Sequence, residues 1–240
     1  FSEQGTIGVV DISGKASLYV RLPEGSVGNG IVFDKAGNMY IADYTNHNIL
    51  KVNPMTKEIV AFAHESSMNQ PNDIAISPVT EIIYASDPNW KESTGKLWMV
   101  DRKGGVHLLE ENMGTTNGIE VSPDGKTLYF SSDGHYGLGR MDVFKTTRLN
   151  DSLWTEWSEP VNLGKEVNST QNDFGYKVTT AGDIAYFSAY KRADNFGESD
   201  IYSITLPKEV RPQVVAIISG VVRDEKGKCL EANIKWEDLT

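Results

Sequence analysis

Apolar and polar residues alternate along most of this chain with a period of two, which is typical of half-buried β-strands. The alternation recurs around a tight turn in three stretches, 30–43 (GIVFDKAGNMYIAD), 73–87 (DIAISPVTEIIYASD) and 118–133 (GIEVSPDGKTLYFSSD), which start 43 and 45 residues apart. Two more apolar runs follow each of the first two stretches, at 48–52 and 58–62 and at 96–100 and 106–109. Four short antiparallel strands at such a spacing predict the blades of a β-propeller.

A fourth unit, 175–190 (GYKVTTAGDIAYFSAY), begins 57 residues after the third, and the ends of the chain supply further strands. Stretches 6–12 and 17–22 correspond to the outer two strands of a blade, whereas 220–236 repeats the inner hairpin. We therefore predict an all-β, single-domain propeller over 1–240, with five blades and the last blade shared between the N- and C-terminal strands, since such closure removes an exposed sheet edge. The alternative is a six-bladed or incomplete propeller followed by a small C-terminal β domain.

The composition of the chain restricts the classes of partner and of site that we expect. The formal net charge is −10 and the pI is about 4.9, so we do not expect nucleic acid to bind. Cys229 is the single cysteine, which excludes an internal disulfide and a zinc site made of cysteines alone. The sequence contains neither an apolar run of the ~18 residues that a membrane span needs nor an N-terminal signal pattern, so we expect a soluble chain without membrane insertion.

Polar residues recur where inner strands start and where second strands end, and in a propeller these points meet at one mouth of the central channel. The starts carry Asn29, Asn72, Asn117 and the pair Asn172-Asp173, and the ends carry Asp43, Asp87 and Asp133. Calcium prefers such carboxylate and amide oxygens. Asn and Asp are also ordinary turn residues. The pattern therefore predicts a polar, cation-capable mouth and leaves a purely structural role open.

Other catalytic signals are weak. His47, His64, His107 and His135 lie in different parts of the repeat, and the sequence has neither a nucleophile elbow nor a phosphate-binding glycine loop. The Gly-rich stretch 131–140 (SSDGHYGLGR) is interpreted as a mobile loop, because no helix follows its strand. Trp90, Trp154 and Trp157 fall in connections, where they cap a blade or stack on a sugar.

Residues ~5–130 resemble the gluconolactonase/regucalcin family of six-bladed propellers, in stretches 30–52, 70–77 (QPNDIAIS) and 112–126 (NMGTTNGIEVSPDGK). The resemblance implies hydrolysis of a sugar lactone with one divalent cation, calcium first among the candidates, held by a Glu, an Asn in an N-G step and an Asp. It implies that Asn117 binds the metal and that Asn72 faces the substrate. Asp87 and Glu92 would lie at the substrate loop.

That ligand set is incomplete in this chain. The family's Glu would precede residue 1, and the blade that would carry its Asp resembles a different family of propellers. By repeat geometry Asp173 takes a similar place, so the predicted catalytic pair is Asp173 and Asn72. The predicted metal ligands are Asn117, Asn72, Asp173 and Asn29.

Residues ~122–217 instead resemble the WD-like propeller repeats of bacterial cell-envelope proteins, in stretches 131–144, 157–164, 172–175 and 199–207. Residues 218–240 are closing strands, or the start of a regulatory-type β domain that 218–234 resembles. A natural mosaic and an engineered chimera are both open. This resemblance favours a periplasmic or extracellular location.

Two functions follow from these patterns. The first is a metal-dependent hydrolase of a sugar lactone or similar ester, with a degenerate site. The second is a non-catalytic propeller that serves as a binding or scaffold module. The sequence leaves enzyme status and oligomeric state open, and a small lactone or sugar is the expected ligand.

Overall fold

In the part of the chain that the structure describes, the regular structure consists of eighteen β-strands and one short 3₁₀ helix, Lys208–Val210. The computed structural model describes residues 2–3, 5–150, 153–213 and 221–229. The first sheet contains β1 (Ser2–Glu3), β2 (Thr6–Val10) and β3 (Ala16–Arg21). The second contains β4 (Gly28–Phe33), β5 (Met39–Asp43), β6 (Asn48–Val52) and β7 (Ile59–His64). The third contains β8 (Asp73–Ile76), β9 (Ile83–Asp87), β10 (Lys96–Val100) and β11 (Val106–Glu110). The fourth contains β12 (Asn117–Val121), β13 (Thr127–Ser132), β14 (Asp142–Thr147) and β15 (Val161–Asn162), and the fifth β16 (Asp173–Val178), β17 (Ile184–Tyr190) and β18 (Ser199–Thr205).

Each sheet is an antiparallel meander, because its strands pair in sequence order. The first strands of successive sheets lie side by side, with β4 next to β8, β8 next to β12, and β12 next to β16. The described residues therefore form five blades around shared inner strands, which confirms the predicted all-β propeller. The predicted outer strands at 48–52, 58–62, 96–100 and 106–109 are β6, β7, β10 and β11.

Four apolar clusters, one between each sheet and the next, form the core. Consecutive residues on a second strand point to opposite neighbours, so Tyr40 packs toward the third sheet and Ile41 toward the first. Tyr84 and Ile83 divide in the same way between the fourth and second sheets. Both faces of these strands are buried, which explains their continuous apolar runs. Burial of each such large side chain contributes about 1.5–3 kcal/mol.

The chain termini differ in part from the expectation. A two-residue strand, β1, pairs with β2 ahead of the two predicted outer strands. Residues 221–229 form a turn with an antiparallel bridge between Arg223 and Cys229, and within this segment no residue pairs with the first sheet. Residue 220 and residues 230–236 lie outside the described residues, so the shared blade stays a prediction. No helix in the described parts of the chain is long and apolar enough to cross a membrane.

Candidate functional site

The inner strands present their first polar residues in register. A backbone hydrogen bond closes the turn after each inner strand, and it is donated by the amide of Asp34, Ser77, Ser122 or Thr179. Five residues before these positions stand Asn29, Asn72, Asn117 and Phe174. The fifth sheet therefore has an aromatic residue where the others have asparagine, and Asp173 lies one residue before that position.

Asn117 is held at the mouth by its own N-G step. Its Oδ1 accepts a hydrogen bond from the Gly118 amide at 2.7 Å. Gly118 adopts a φ of +58°, and a Cβ there would stand 3.1 Å from the Gly175 amide nitrogen on β16. The glycine thus permits both the left-handed turn and the close approach of β12 and β16. Oδ1 of Asn117 thus already accepts one hydrogen bond, and its side-chain NH₂ group is the donor that a ligand can use.

Asn72 and Asn29 occupy the same register with different surroundings. The backbone amide of Asn72 donates to the Ser86 carbonyl at 2.9 Å, and its carbonyl accepts from the Gly30 amide at 2.8 Å. Its side chain is buried, whereas Asn29 is exposed. Neither residue lines the cavity that contains Asn117.

The aspartates that end the second strands hold their own blades together. Asp87 is fully buried and accepts hydrogen bonds from the amides of Asn69 and Gln70 at 2.9 and 2.6 Å and from the Trp98 indole nitrogen at 2.8 Å. Burial raises the pKa of Asp87, although these hydrogen bonds oppose the shift. Asp43 accepts from Ser26 Oγ at 2.8 Å in the same manner. Both oxygens of Asp87 are thus engaged inside the blade, which leaves its predicted substrate contact without support from its surroundings.

Asp173 and Glu92 are each engaged by partners outside the cavity wall. The buried carboxylate of Asp173 accepts from the amide and hydroxyl of Ser169 at 2.6 and 2.7 Å and pairs with Arg192 Nη2 at 3.1 Å. Arg192 therefore balances the charge of Asp173 locally. Glu92 is exposed and pairs with Lys91 at 3.2 Å. The structure brings neither carboxylate together with Asn117.

A cavity of about 530 Å³ opens at the mouth beside Asn117. Its walls include an amide pair, one acid, one cation and two aromatic rings, contributed by Asn117, Asn172, Asp133, Arg140, Trp90 and Phe174. Of the predicted catalytic, substrate and metal residues, Asn117 alone is part of this wall. The size lies in the range of ordinary small-ligand sites.

Trp90 is carried by the loop between β9 and β10. The Gly95 amide donates to the Gly114 carbonyl at 2.7 Å, and Thr94 forms a parallel bridge with Gly114, so the loop docks on the next blade. A Cβ on Gly95 would clash with the Gly114 carbonyl. Trp90 remains 47% exposed at the cavity wall. It is therefore a contact surface at the mouth rather than a buried cap.

Arg140 is carried by the equivalent loop of the next blade. Its amide donates to the Gln171 carbonyl at 3.1 Å, and Met141 forms a parallel bridge with Asn172. A Cβ on Gly139 would clash with the Ser169 carbonyl, so only glycine permits this docking. Sequence reasoning interpreted 131–140 as a mobile loop and missed Arg140. The alternating glycines of the G-L-G-R end were the signal for close backbone approach.

The donor set does not suit a resident divalent cation. Among the residues described, no three His, Cys, Asp or Glu side chains lie close enough together to hold a metal ion. Asp133 is the one acid in the cavity wall, and it already accepts from the Thr115 hydroxyl at 2.7 Å. Calcium takes six to eight oxygen ligands, whereas Arg140 brings a positive charge into the same cavity. The single carboxylate of the predicted ligand set, Asp173, is engaged by Ser169 and Arg192.

Charged residues continue along the inner strands into the channel. Asp73 Oδ2 accepts from the Ile119 amide at 3.0 Å, which ties β8 to β12. Lys177 pairs with Glu120 at 2.9 Å, which ties β12 to β16. Burial raises the pKa of Asp73 against the opposing effect of its amide hydrogen bonds. These groups link neighbouring blades.

Comparison with known proteins places the chain in a family. Residues 3–151 match the family model described as the SMP-30/gluconolactonase/LRE-like region. A gluconolactonase from Zymomonas mobilis is 29% identical over 118 residues, which cover 43% of this chain and 33% of that protein. The match thus spans about a third of the length of this curated relative. The family match also continues past residue 130, and the resemblance of the later residues to WD-like repeats stays a prediction.

Solved structures support the fold. TolB from Acinetobacter baumannii, 12% identical, superimposes with a TM-score of 0.62 over 83% of this chain and 46% of TolB. The calcium-binding protein regucalcin from Agrobacterium tumefaciens, 17% identical, gives a TM-score of 0.53 over 81% of this chain and 66% of regucalcin. At these identities the structures show a common fold alone. Because the family model matches more than half of the chain, this protein belongs to the SMP-30/gluconolactonase/LRE-like family.

Proposed function

We propose that this protein hydrolyses a sugar lactone or a similar cyclic ester, which it binds in the mouth cavity. The observation that carries the proposal is Asn117, which lies within the family-matched residues, stands at the start of an inner strand and lines a cavity of ligand size. The gluconolactonase relative supports the choice of a lactone.

The cavity supplies hydrogen-bond donors for the step that opens the ring. Negative charge develops on the carbonyl oxygen when water attacks an ester, and preorganised donors stabilise that charge. The Asn117 amide nitrogen is such a donor on the cavity wall. The Gly118 amide donates to Asn117 Oδ1, so this side chain is oriented before the substrate binds.

Asp133 is the group in this cavity that can accept the proton of the attacking water. Its oxygens accept hydrogen bonds from Thr115, but a carboxylate has about four lone-pair sites and so can also accept from a water molecule. Proton transfer to a positioned carboxylate is ordinary general base catalysis. In this proposal Asp133 takes the proton of the attacking water and Asn117 holds the carbonyl oxygen. The C–O bond of the ring then breaks, and Asp133 returns the proton to the leaving ring oxygen.

The test is acid release from a lactone, followed at constant pH with purified protein, with and without added calcium. Asn117→Ala is expected to lower turnover about 100-fold, the usual effect of removing one donor to the developing oxyanion. Asn29→Ala has the same register but lies outside the cavity, so we expect it to matter far less. Equal losses in the two variants, or full activity in Asn117→Ala, would show that the cavity is not the site.

A second candidate is a non-catalytic binding module. The observation in its favour is that Asp173 is locked in an ion pair with Arg192 and that Asp133 is the one acid in the cavity wall. This candidate predicts lactone binding by calorimetry without acid release at any calcium concentration. The first candidate predicts both.

A further inference from the structure

Arg140 places a positive charge in the wall of the mouth cavity. Within the described residues its guanidinium makes neither an ion pair nor a hydrogen bond, and its backbone amide alone is engaged. Arg192, by contrast, is paired with Asp173 and donates to the Val167 carbonyl. The chain has a net charge of −10, so acids are plentiful, yet none pairs with Arg140 in the described part of the chain.

The position of this charge is set by backbone contacts. The Asp173 amide donates to the Met141 carbonyl at 2.8 Å and the Arg140 amide to the Gln171 carbonyl at 3.1 Å, so Arg140 is bracketed by two hydrogen bonds to the next blade. An arginine held in this way offers a planar fork of donors that matches a carboxylate in two hydrogen bonds. The Arg140 side chain thus lines the cavity from a backbone segment that is bound to the next blade.

The rest of the wall suits a ring with both polar and apolar faces. Trp90 exposes nearly half of its surface at the cavity, and Phe174 replaces the asparagine of the other inner strands. Asn117 and Asn172 contribute amide groups to the same wall. Aromatic side chains beside a few polar groups that fix orientation are typical of small-molecule sites.

We propose that the ligand of this cavity is an anionic sugar derivative, a sugar lactone that keeps a free carboxylate, as in the monolactone of a sugar diacid. The carboxylate binds the Arg140 guanidinium, and the ring lies against Trp90. This inference rests on the proposed function and specifies its substrate class.

The experiment is calorimetric titration of the intact chain with two matched ligands, the monolactone of glucaric acid and the gluconolactone of the same ring size. They differ by a carboxylate in place of a hydroxymethyl group. We expect the acid lactone to bind about tenfold more tightly or better, since a charge-assisted hydrogen bond is stronger than a neutral one. Added salt should reduce this preference.

Arg140→Gln should bring the affinities for the two lactones within about twofold of each other, because the positive charge that distinguishes them is removed. Arg140→Lys should recover part of the preference, because it restores the charge without the fork. Arg102→Gln removes the same charge from an exposed turn outside the cavity and should keep the full preference. Thermal melts of all variants check that the fold persists.

The outcomes separate the two proposals. Equal binding of both lactones to the wild-type protein overturns the anionic ligand, and a preference that survives Arg140→Gln overturns its contact with Arg140. Either result leaves the lactone function standing. Binding of neither lactone overturns the proposed function and the inference with it. Loss of preference in Arg140→Gln alone supports both.

Discussion

Two sets of residues lie at the same mouth of the propeller and differ in whether their side chains are engaged inside the blade or exposed to the cavity. Asp43 and Asp87 end second strands, are fully buried and are saturated by donors of their own blade. Trp90 and Arg140 stand on loops that dock on the next blade and expose their side chains to the cavity. The regular repeat thus supplies the framework, whereas the irregular loops between the second and third strands supply the contact surface.

The largest expected effect comes from breaking the framework. Asp87→Ala leaves the amides of Asn69 and Gln70 and the Trp98 indole without their acceptor. Unsatisfied buried donors of this kind cost about 3–5 kcal/mol in total. Denaturant unfolding should show this loss, while ligand affinity measured well below the melting temperature should stay unchanged. A loss below about 1 kcal/mol would mean that the carboxylate does not hold the blade.

A smaller effect is expected where the framework meets the loop. Gly139→Ala forces the 139–141 segment away from the Ser169 carbonyl, which should cost about 1–3 kcal/mol of stability. Because the segment carries Arg140, the preference for an acid lactone should fall as it does in Arg140→Gln. Calorimetry with the two matched lactones tests this. An unaltered preference would show that docking does not position the guanidinium.

The smallest effect is a pH dependence within the framework. Burial raises the folded-state pKa of Asp73 above its unfolded value of about 3.9. Its contribution to stability is therefore fully present below the unfolded pKa and is lost as pH rises through the folded pKa. Asp73→Asn removes this titration, so the variant should gain stability relative to the wild type as pH rises from about 4 to 7. A difference between the two proteins that does not change with pH would contradict the shift.

The sequence predicted the repeat and much of the mouth, for a physical reason. Strand alternation and turn residues are local, so the four-strand units and the register of Asn72 and Asn117 could be predicted from spacing alone. The surroundings of Asp173 could not, because spacing does not show that Ser169 and Arg192 engage its carboxylate. The register places Phe174 at the ring position and turns Asp173 toward Arg192.

Arg140 escaped prediction because its role depends on contacts distant in sequence. The glycines beside it indicate a close backbone approach, but they do not show that Gly139 packs against Ser169 or that Gln171 accepts from the Arg140 amide. Trp90 was named from the sequence as a cap or a sugar contact, but the docking of its loop through Gly95 and Gly114 could not be predicted. Such contacts become visible only once neighbouring blades are assembled.

The most direct test of the account compares two tryptophans in one spectrum. Trp98 donates its indole N–H to Asp87 inside the framework, whereas Trp90 lines the cavity. In a nitrogen-labelled NMR titration with the glucaric acid monolactone, the Trp90 indole resonance, assigned with Trp90→Phe, should shift in proportion to occupancy. The Trp98 resonance should stay in place. A shift of Trp98 with an unmoved Trp90 would contradict the claim that the loops, and not the buried aspartates, form the binding site.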